Sequence, residues 1–149
     1  MTRIAHIMLR VLEEERSIRF YSKVLGLHVV ERFEFDDFTL VYLTDSFSQS
    51  LPTSQRFELE LTINHGRTDP YILGDGYGHL AISVDDIKAE YDRLQMAGYP
   101  ITPIKTLEHN GKRVGQFFFL TDPDGYRIEM LQRGTKNGVI SGTSGRFLV

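Results

Sequence analysis

The sequence predicts an α+β fold built from two tandem βαβββ units whose strands form curved mixed sheets. Three observations predict it. A strand, a helix and three further strands can be read twice along the chain. Equivalent residues of the two copies keep nearly constant offsets. Finally, 149 residues suit one domain made of two pseudo-repeated halves, about 3–64 and 78–132.

The first half begins with RIAHIMLRV, residues 3–11, which alternates as a half-buried strand does. Ile7, Leu9 and Val11 lie on one face and His6, Met8 and Arg10 on the other. A helix is expected over 13–25, where Ile18, Tyr21 and Leu25 recur at helical spacing with Phe20 and Val24 beside them. Gly26 stands where a helix end favours a left-handed residue. LHVVERFEF, FTLVYLTD and FELELTIN then read as three strands. In the last of these, Glu58, Glu60, Thr62 and Asn64 share one face, opposite Leu59, Leu61 and Ile63.

The second half repeats this order after the linker 64–78. GHLAISV, residues 78–84, is a strand with His79, Ala81 and Ser83 on one face. Asp85 or Asp86 caps the next helix, whose apolar face carries Ile87, Tyr91, Leu94 and Ala97 and which Gly98 ends. YPITPIK, VGQFFFLTD and YRIEMLQ supply three strands, the last two joined by a DPDG turn at 122–125. Arg127 and Glu129 share a face of the final strand. Residues 133–149 are Gly- and Ser-rich and are expected to be an irregular tail.

The composition excludes several classes. Seventeen basic and 20 acidic residues leave a formal charge of −3 with no basic run, which argues against nucleic acid or an anionic membrane as partner. No apolar stretch approaches the roughly 20 residues of a membrane span, and the N-terminus lacks a signal peptide's apolar core. With no cysteine, disulfides, thiolate metal sites and cysteine nucleophiles are ruled out. A cytoplasmic protein is expected.

The repeat itself points to chemistry. Seventy-three residues separate His6 from His79 and Val11 from Val84, 72 separate Gly26 from Gly98, and 69 separate Glu60 from Glu129. Each half therefore places one imidazole and one carboxylate on the polar side of its sheet. A lone strand histidine is usually a face residue, and His28, His65 and His109 are read so. The His/Glu pair occurring twice in equivalent places is better explained as a divalent-metal cleft of His6, Glu60, His79 and Glu129. Such a set, with two waters, suits an octahedral nickel, cobalt, manganese or iron ion. Zinc, more often four-coordinate, is an alternative.

Five segments resemble glyoxalase I (lactoylglutathione lyase) of the vicinal-oxygen-chelate superfamily: HIMLRV at 6–11, RSIRFYSKVLGL at 16–27, ELTINHG at 60–66, YGHLAISVDD at 77–86 and FFFLTDPDGYRIEML at 117–131. The resemblance covers about residues 4–132. It implies a glyoxalase-like fold and a homodimer with active sites at the interface, each completed by the first-half ligands of one chain and the second-half ligands of the other. It implies that Arg10 and Asn64 bind the glutathione moiety, Arg10 by a fork onto a carboxylate. The absence of a long N-terminal extension resembles the short bacterial type, which favours Ni2+ or Co2+ over Zn2+, one ion per active site.

The implied reaction turns the hemithioacetal of methylglyoxal and glutathione into S-D-lactoylglutathione through an enediolate, a detoxification of methylglyoxal. Glu129 is the implied base, with Glu60 serving the other substrate face. The polar loop SFSQSLPTSQ and the stretch TLEHNGKRVG depart from the family pattern. Lys105, Lys112 and Arg113 in and beside the latter are candidates for anionic contacts, against the ordinary reading as solvated loop residues. The same superfamily offers alternatives: an extradiol dioxygenase, for which a fourth ligand in Glu60 is one too many, an epimerase, or a metal-free antibiotic-binding protein, which would not need the full ligand set.

Overall fold

A computed structural model describes residues 2–134. Within them lie two helices and eight strands. In chain order these are β1 (His6–Arg10), α1 (Glu14–Leu25), β2 (His28–Glu34), β3 (Phe38–Thr44), β4 (Glu58–Asn64), β5 (Leu80–Ser83), α2 (Ile87–Met96), β6 (Lys105–His109), β7 (Lys112–Thr121) and β8 (Arg127–Arg133). The chain divides into two compact units. The first holds the described residues up to Tyr77 together with Asp122–Tyr126, and the second holds Gly78–Thr121 and the described residues from Arg127 on.

Each unit is a mixed four-stranded sheet of the same design, ordered β1-β4-β3-β2 in the first and β5-β8-β7-β6 in the second. The strand before the helix pairs in parallel with the last strand of its unit, and the other pairings are antiparallel. A parallel pair needs a long crossover between its strands, and the helix with two further strands provides it. This is the α+β fold of tandem βαβββ units that the repeat predicts.

In the first unit the apolar side is built from Leu9, Val11, Val41, Leu43, Leu59, Leu61 and Ile63, all buried, with Phe20, Tyr21 and Val24 from α1. The buried stripe of α1 is therefore Ser17, Phe20, Tyr21 and Val24. Ile18 and Leu25, expected on that face, are only half-buried. Gly26 has φ +69°, and its N–H and that of Leu27 close back on the carbonyls of Ser22 and Tyr21. This double closure satisfies two orphan carbonyls of the helix end, and the left-handed residue it requires is easiest for glycine.

The DPDG turn is bound into the first unit by its carboxylates. Asp122 accepts the Tyr21 hydroxyl at 2.8 Å and the backbone N–H groups of Asp124 and Tyr126 at 3.0 and 2.8 Å. Asp124 accepts from Leu12 N–H at 3.0 Å, Arg16 at 3.1 Å and the Ser17 hydroxyl at 3.3 Å. Burial, and then the nearby Asp122 carboxylate, push the Tyr21 phenol far up, so it stays a donor.

In the second unit Phe118, Leu120, Ile128 and Met130 are buried with Ile87 and Leu94 of α2, while Tyr91 is half-buried and Ala97 exposed. Tyr91 meets Phe118 edge-on at 5.4 Å. Of the two candidate caps, Asp86 does the work, accepting the N–H groups of Lys88 and Ala89 at 3.0 Å.

Three boundaries differ from expectation. YPITPIK is not a strand: apart from an isolated bridge between Ile101 and Leu120, pairing begins at Lys105 and runs through TLEH. Pro100 and Pro103 have no N–H to give a ladder, so the regular strand starts beyond them. His79 immediately precedes β5 instead of lying inside it. Arg133, placed in the tail by its composition, ends β8, and Gly134 N–H reaches the Val114 carbonyl. The remainder of the expected tail, 135–149, lies outside the described residues.

Candidate metal centre

The four residues marked by the repeat come together two by two, one pair in each unit. In the first, parallel pairing sets Met8 against Glu60, and His6 lies two residues earlier on the same face of β1. His6 Nε2 is 3.3 Å from Glu60 Oε2. In the second, Ala81 is set against Glu129, and His79 again lies two residues earlier. His79 Nε2 is 3.4 Å from Glu129 Oε2. Both imidazoles are about two-fifths exposed, whereas the Glu60 and Glu129 side chains are 11% and 15% exposed. Nearly buried carboxylates beside imidazoles that open to solvent leave the donors of each pair reachable from outside.

The spacing suits a shared ion. Donors held about 2.1 Å from one divalent cation lie about 3.0 Å apart at a right angle and about 3.4 Å apart at the tetrahedral angle. Both pairs fall in that range. Neutral imidazole and carboxylate donors match borderline to hard divalent ions. Two donors do not complete a coordination sphere, and no group of three or more His, Cys, Asp or Glu residues occurs among the described residues. Each pair is thus a candidate half-site.

An aromatic ring stands beside each pair. Tyr42 lies directly opposite Glu60 across the β3–β4 ladder, and its ring meets the His6 ring edge-on at 5.9 Å. Phe119 lies directly opposite Glu129 across the β7–β8 ladder, and its ring meets the His79 ring edge-on at 5.4 Å. The arrangements match, but the rings do not. Burial, and then the neighbouring Glu60 carboxylate, push the Tyr42 phenol up to about 12. Glu60 also accepts the Thr62 hydroxyl at 3.1 Å. The residue two places after Glu129 is Leu131. Glu60 therefore has a hydroxyl donor in Thr62, and the equivalent Leu131 supplies none to Glu129.

Neither Tyr42 nor Phe119 was expected at the centre. A signal for them is present, because YLTD at 42–45 and FLTD at 119–122 match one another as the histidines do.

The remaining candidates are placed as follows. Arg10 is exposed, on the His6 face of β1. Asn64 ends β4 on the Glu60 face and donates to the Tyr71 hydroxyl at 2.8 Å. Lys105 and Lys112 are exposed on the β6–β7 hairpin, and Arg113 is half-buried there. His28 bonds to Ser46, His65 is held between Thr39 and the Asp36 carbonyl, and His109 is beside Asn110. None of these three histidines joins a half-site.

Fold and half-sites define a class of small βαβββ-repeat proteins that set His and Glu on the polar faces of paired sheets. The chain belongs to the Glyoxalase/Bleomycin resistance protein/Dioxygenase superfamily, whose profile matches residues 3–130. Within it, the lactoylglutathione lyase of Haemophilus influenzae is 38% identical over 139 residues, covering 91% of this chain and 97% of that protein. Among solved structures, the trypanothione-dependent glyoxalase I of Leishmania major is 35% identical with a TM-score of 0.72, over 89% of this chain and 87% of that one. Glyoxalase I of Zea mays is 30% identical with a TM-score of 0.73, over 89% of this chain and 45% of that longer one.

Proposed function

We propose that this protein is a lactoylglutathione lyase that isomerises the methylglyoxal–glutathione hemithioacetal to S-D-lactoylglutathione. The observation that carries the reading is the duplicated half-site: two His–Glu pairs, in equivalent places, each with the spacing of one edge of a coordination sphere and each incomplete alone. The relatives named above are called lactoylglutathione lyase and glyoxalase I.

In this reading His6, Glu60, His79 and Glu129 hold one divalent ion, nickel or cobalt in preference to zinc. The two pairs come from different copies of the chain, so the enzyme works as a homodimer with two active sites at its interface. A bound ion of this kind supplies Lewis-acid polarisation of the substrate's two oxygens. His6 and His79 act as ligands only. Glu129 takes the proton from the carbon that carries sulfur and returns it to the neighbouring carbon. One C–H bond breaks and one forms, the carbonyl moves by one position, and there is no net oxidation. Its nearly buried setting beside Phe119 keeps water away, which favours a carboxylate as base. Glu60 remains a ligand and can serve the opposite face of the substrate. Arg10 forks onto a glutathione carboxylate. Asn64, with one N–H given to Tyr71, has a second N–H and its carbonyl left for the peptide.

The test is thioester formation from methylglyoxal and glutathione, followed by ultraviolet absorbance on metal-stripped protein refilled with nickel, cobalt, manganese or zinc. Turnover restored best by nickel or cobalt is expected. Silence with every metal removes the assignment. Trypanothione in place of glutathione tests the thiol carrier, since a solved relative is named as depending on it. Glutathione is expected to be the better substrate.

A further inference from the structure

We propose that Arg56 is a positioning residue that holds the Glu58 carboxylate away from the His6–Glu60 pair and so keeps two coordination positions open for substrate. The proposal rests on the metal-site reading above. It gives a role to a third carboxylate that shares the face of the first half-site without belonging to it.

Glu58 is built into the same surface as the pair. It lies directly opposite His6 across the parallel β1–β4 ladder, and two residues before Glu60 on the same face of β4. Its side chain is 8% exposed, less than that of Glu60 at 11%. A carboxylate in this place suits a divalent ion held by His6 and Glu60. Yet among the described residues no group of three such donors forms. Arg56 accounts for the difference. Its side chain, nine-tenths buried, puts Nε 3.0 Å from Glu58 Oε1. Neither atom makes a directed hydrogen bond, so the contact is one of charge. The guanidinium is itself held in place: Nη2 donates to the Thr53 hydroxyl at 2.9 Å and lies 3.8 Å from Glu31 Oε1 on β2. A buried carboxylate needs a compensating charge, and Arg56 supplies it without the ion. The consequence for the site follows from counting donors. An octahedral ion held by two His–Glu pairs has two positions left for the substrate's two oxygens. Glu58 as a fifth protein donor would take one of them. The other copy of the repeat is the control. There Arg127 occupies the place of Glu58 and Gly125 that of Arg56, so no third carboxylate has to be restrained.

The experiment compares wild type with Arg56→Met, Arg56→Lys and the double variant Arg56→Met/Glu58→Gln. Nickel affinity is measured on substrate-free protein by competition with a chromophoric chelator, and kcat on nickel-loaded protein. Urea midpoints of metal-free protein check that each variant is folded. Arg56→Met removes the cation and keeps an apolar stem. It is expected to tighten nickel binding by about tenfold or more, because an unpaired carboxylate is strongly attracted to a divalent ion at short range. It is also expected to lower kcat, because the added donor competes with substrate. Arg56→Lys keeps the charge and is expected to stay close to wild type in both. Adding Glu58→Gln to Arg56→Met is expected to return both quantities toward wild type. A merely structural role for Arg56 would lower the urea midpoint without tightening nickel binding. Should Arg56→Met not fold, Arg56→Gln, which keeps a donor for Thr53, takes its place. Unchanged or weaker nickel binding in the folded neutral variant overturns the proposal, as does tighter binding that survives Glu58→Gln. If wild type takes up no nickel, or uptake survives His6→Ala, the site reading itself fails, and that result is distinct from the other two.

Discussion

The two units repeat the same sheet order, the same parallel pairing and the same His–Glu spacing, yet they treat their carboxylates differently. In the first unit β4 is buried on both faces: Glu58, Glu60 and Thr62 are 6%, 8% and 9% exposed, and Arg56 is paired with Glu58 at 3.0 Å. Buried charge is tolerated only when it is paired or hydrogen-bonded, and here the Thr62 hydroxyl and the Arg56 guanidinium supply partners. In the second unit the residues equivalent to Glu58 and Thr62 are Arg127, which is exposed and stacks over Phe119 at 4.0 Å, and Leu131. A duplicated scaffold can place the same His–Glu pair twice and still diverge in the residues around it.

The largest test of that comparison is to remove each carboxylate's charge. Glu129→Gln is expected to lower kcat by on the order of 10²- to 10⁴-fold, the usual contribution of a positioned base, with a small change in KM. Glu60→Gln is expected to act first on metal affinity, with part of the activity returning at high nickel. Steady-state kinetics across a nickel titration distinguish the two. The reverse pattern would exchange the assigned roles.

Next in size is complementation between the half-sites. A chain carrying His6→Ala and Glu60→Gln, and another carrying His79→Ala and Glu129→Gln, are each expected to be inactive. If each site takes one pair from each of two copies, mixed dimers hold one intact site. Random pairing then returns roughly a quarter of wild-type turnover after the two proteins are unfolded and refolded together. No recovery would mean that both pairs of a site come from the same chain.

Much of this was legible in the sequence because it is local or repeated. Strand alternation put His6 and Arg10 on one face, and Glu60 and Asn64 on another, before any pairing was known. The nearly constant offsets between halves marked the two His–Glu pairs. The position of Tyr42 was not local: it depends on the β3–β4 register that sets residue 42 opposite residue 60. Alternation alone makes Tyr42 one more aromatic residue in a strand. The misplaced β6 has a local cause that was overlooked, since prolines at 100 and 103 weaken a ladder whatever the hydrophobic pattern. Its register with β7 also shifts at Leu107/Glu108, where Leu107 faces Gly115. A Cβ at Gly115 would lie 2.8 Å from the Gln132 carbonyl oxygen, a constraint invisible until the strands are paired.

A smaller effect is expected at Arg10. Its side chain is exposed on the His6 face of β1, so in the proposed reading Arg10→Ala removes a substrate contact while leaving the fold intact. Losing a charge-assisted hydrogen bond contributes about 1.5–3 kcal/mol, a rise in KM of about tenfold or more with kcat little changed. No such rise would break the link between this face and the thiol carrier, and would direct the search to Lys105 and Lys112 on the other unit's hairpin.

The smallest predicted effect concerns what the units do not share. Leu94 occupies in α2 the place that Tyr21 occupies in α1, and both are fully buried. Leu94 has only apolar work to do, whereas Tyr21 also donates to Asp122 at 2.8 Å and so holds the DPDG turn within the first unit. Tyr21→Phe keeps the ring and leaves one buried oxygen of Asp122 without that donor. An orphaned buried acceptor costs about 1–3 kcal/mol, which should appear as a lower urea midpoint of the metal-free protein. Metal has to be absent, because any ion that binds only the folded state would mask the loss by mass action. The nickel affinity of Tyr21→Phe should match wild type, because the hydroxyl removed bonds to the turn and to neither His–Glu pair. A drop in nickel affinity of about tenfold or more would show that the DPDG turn and the His–Glu pairs are coupled.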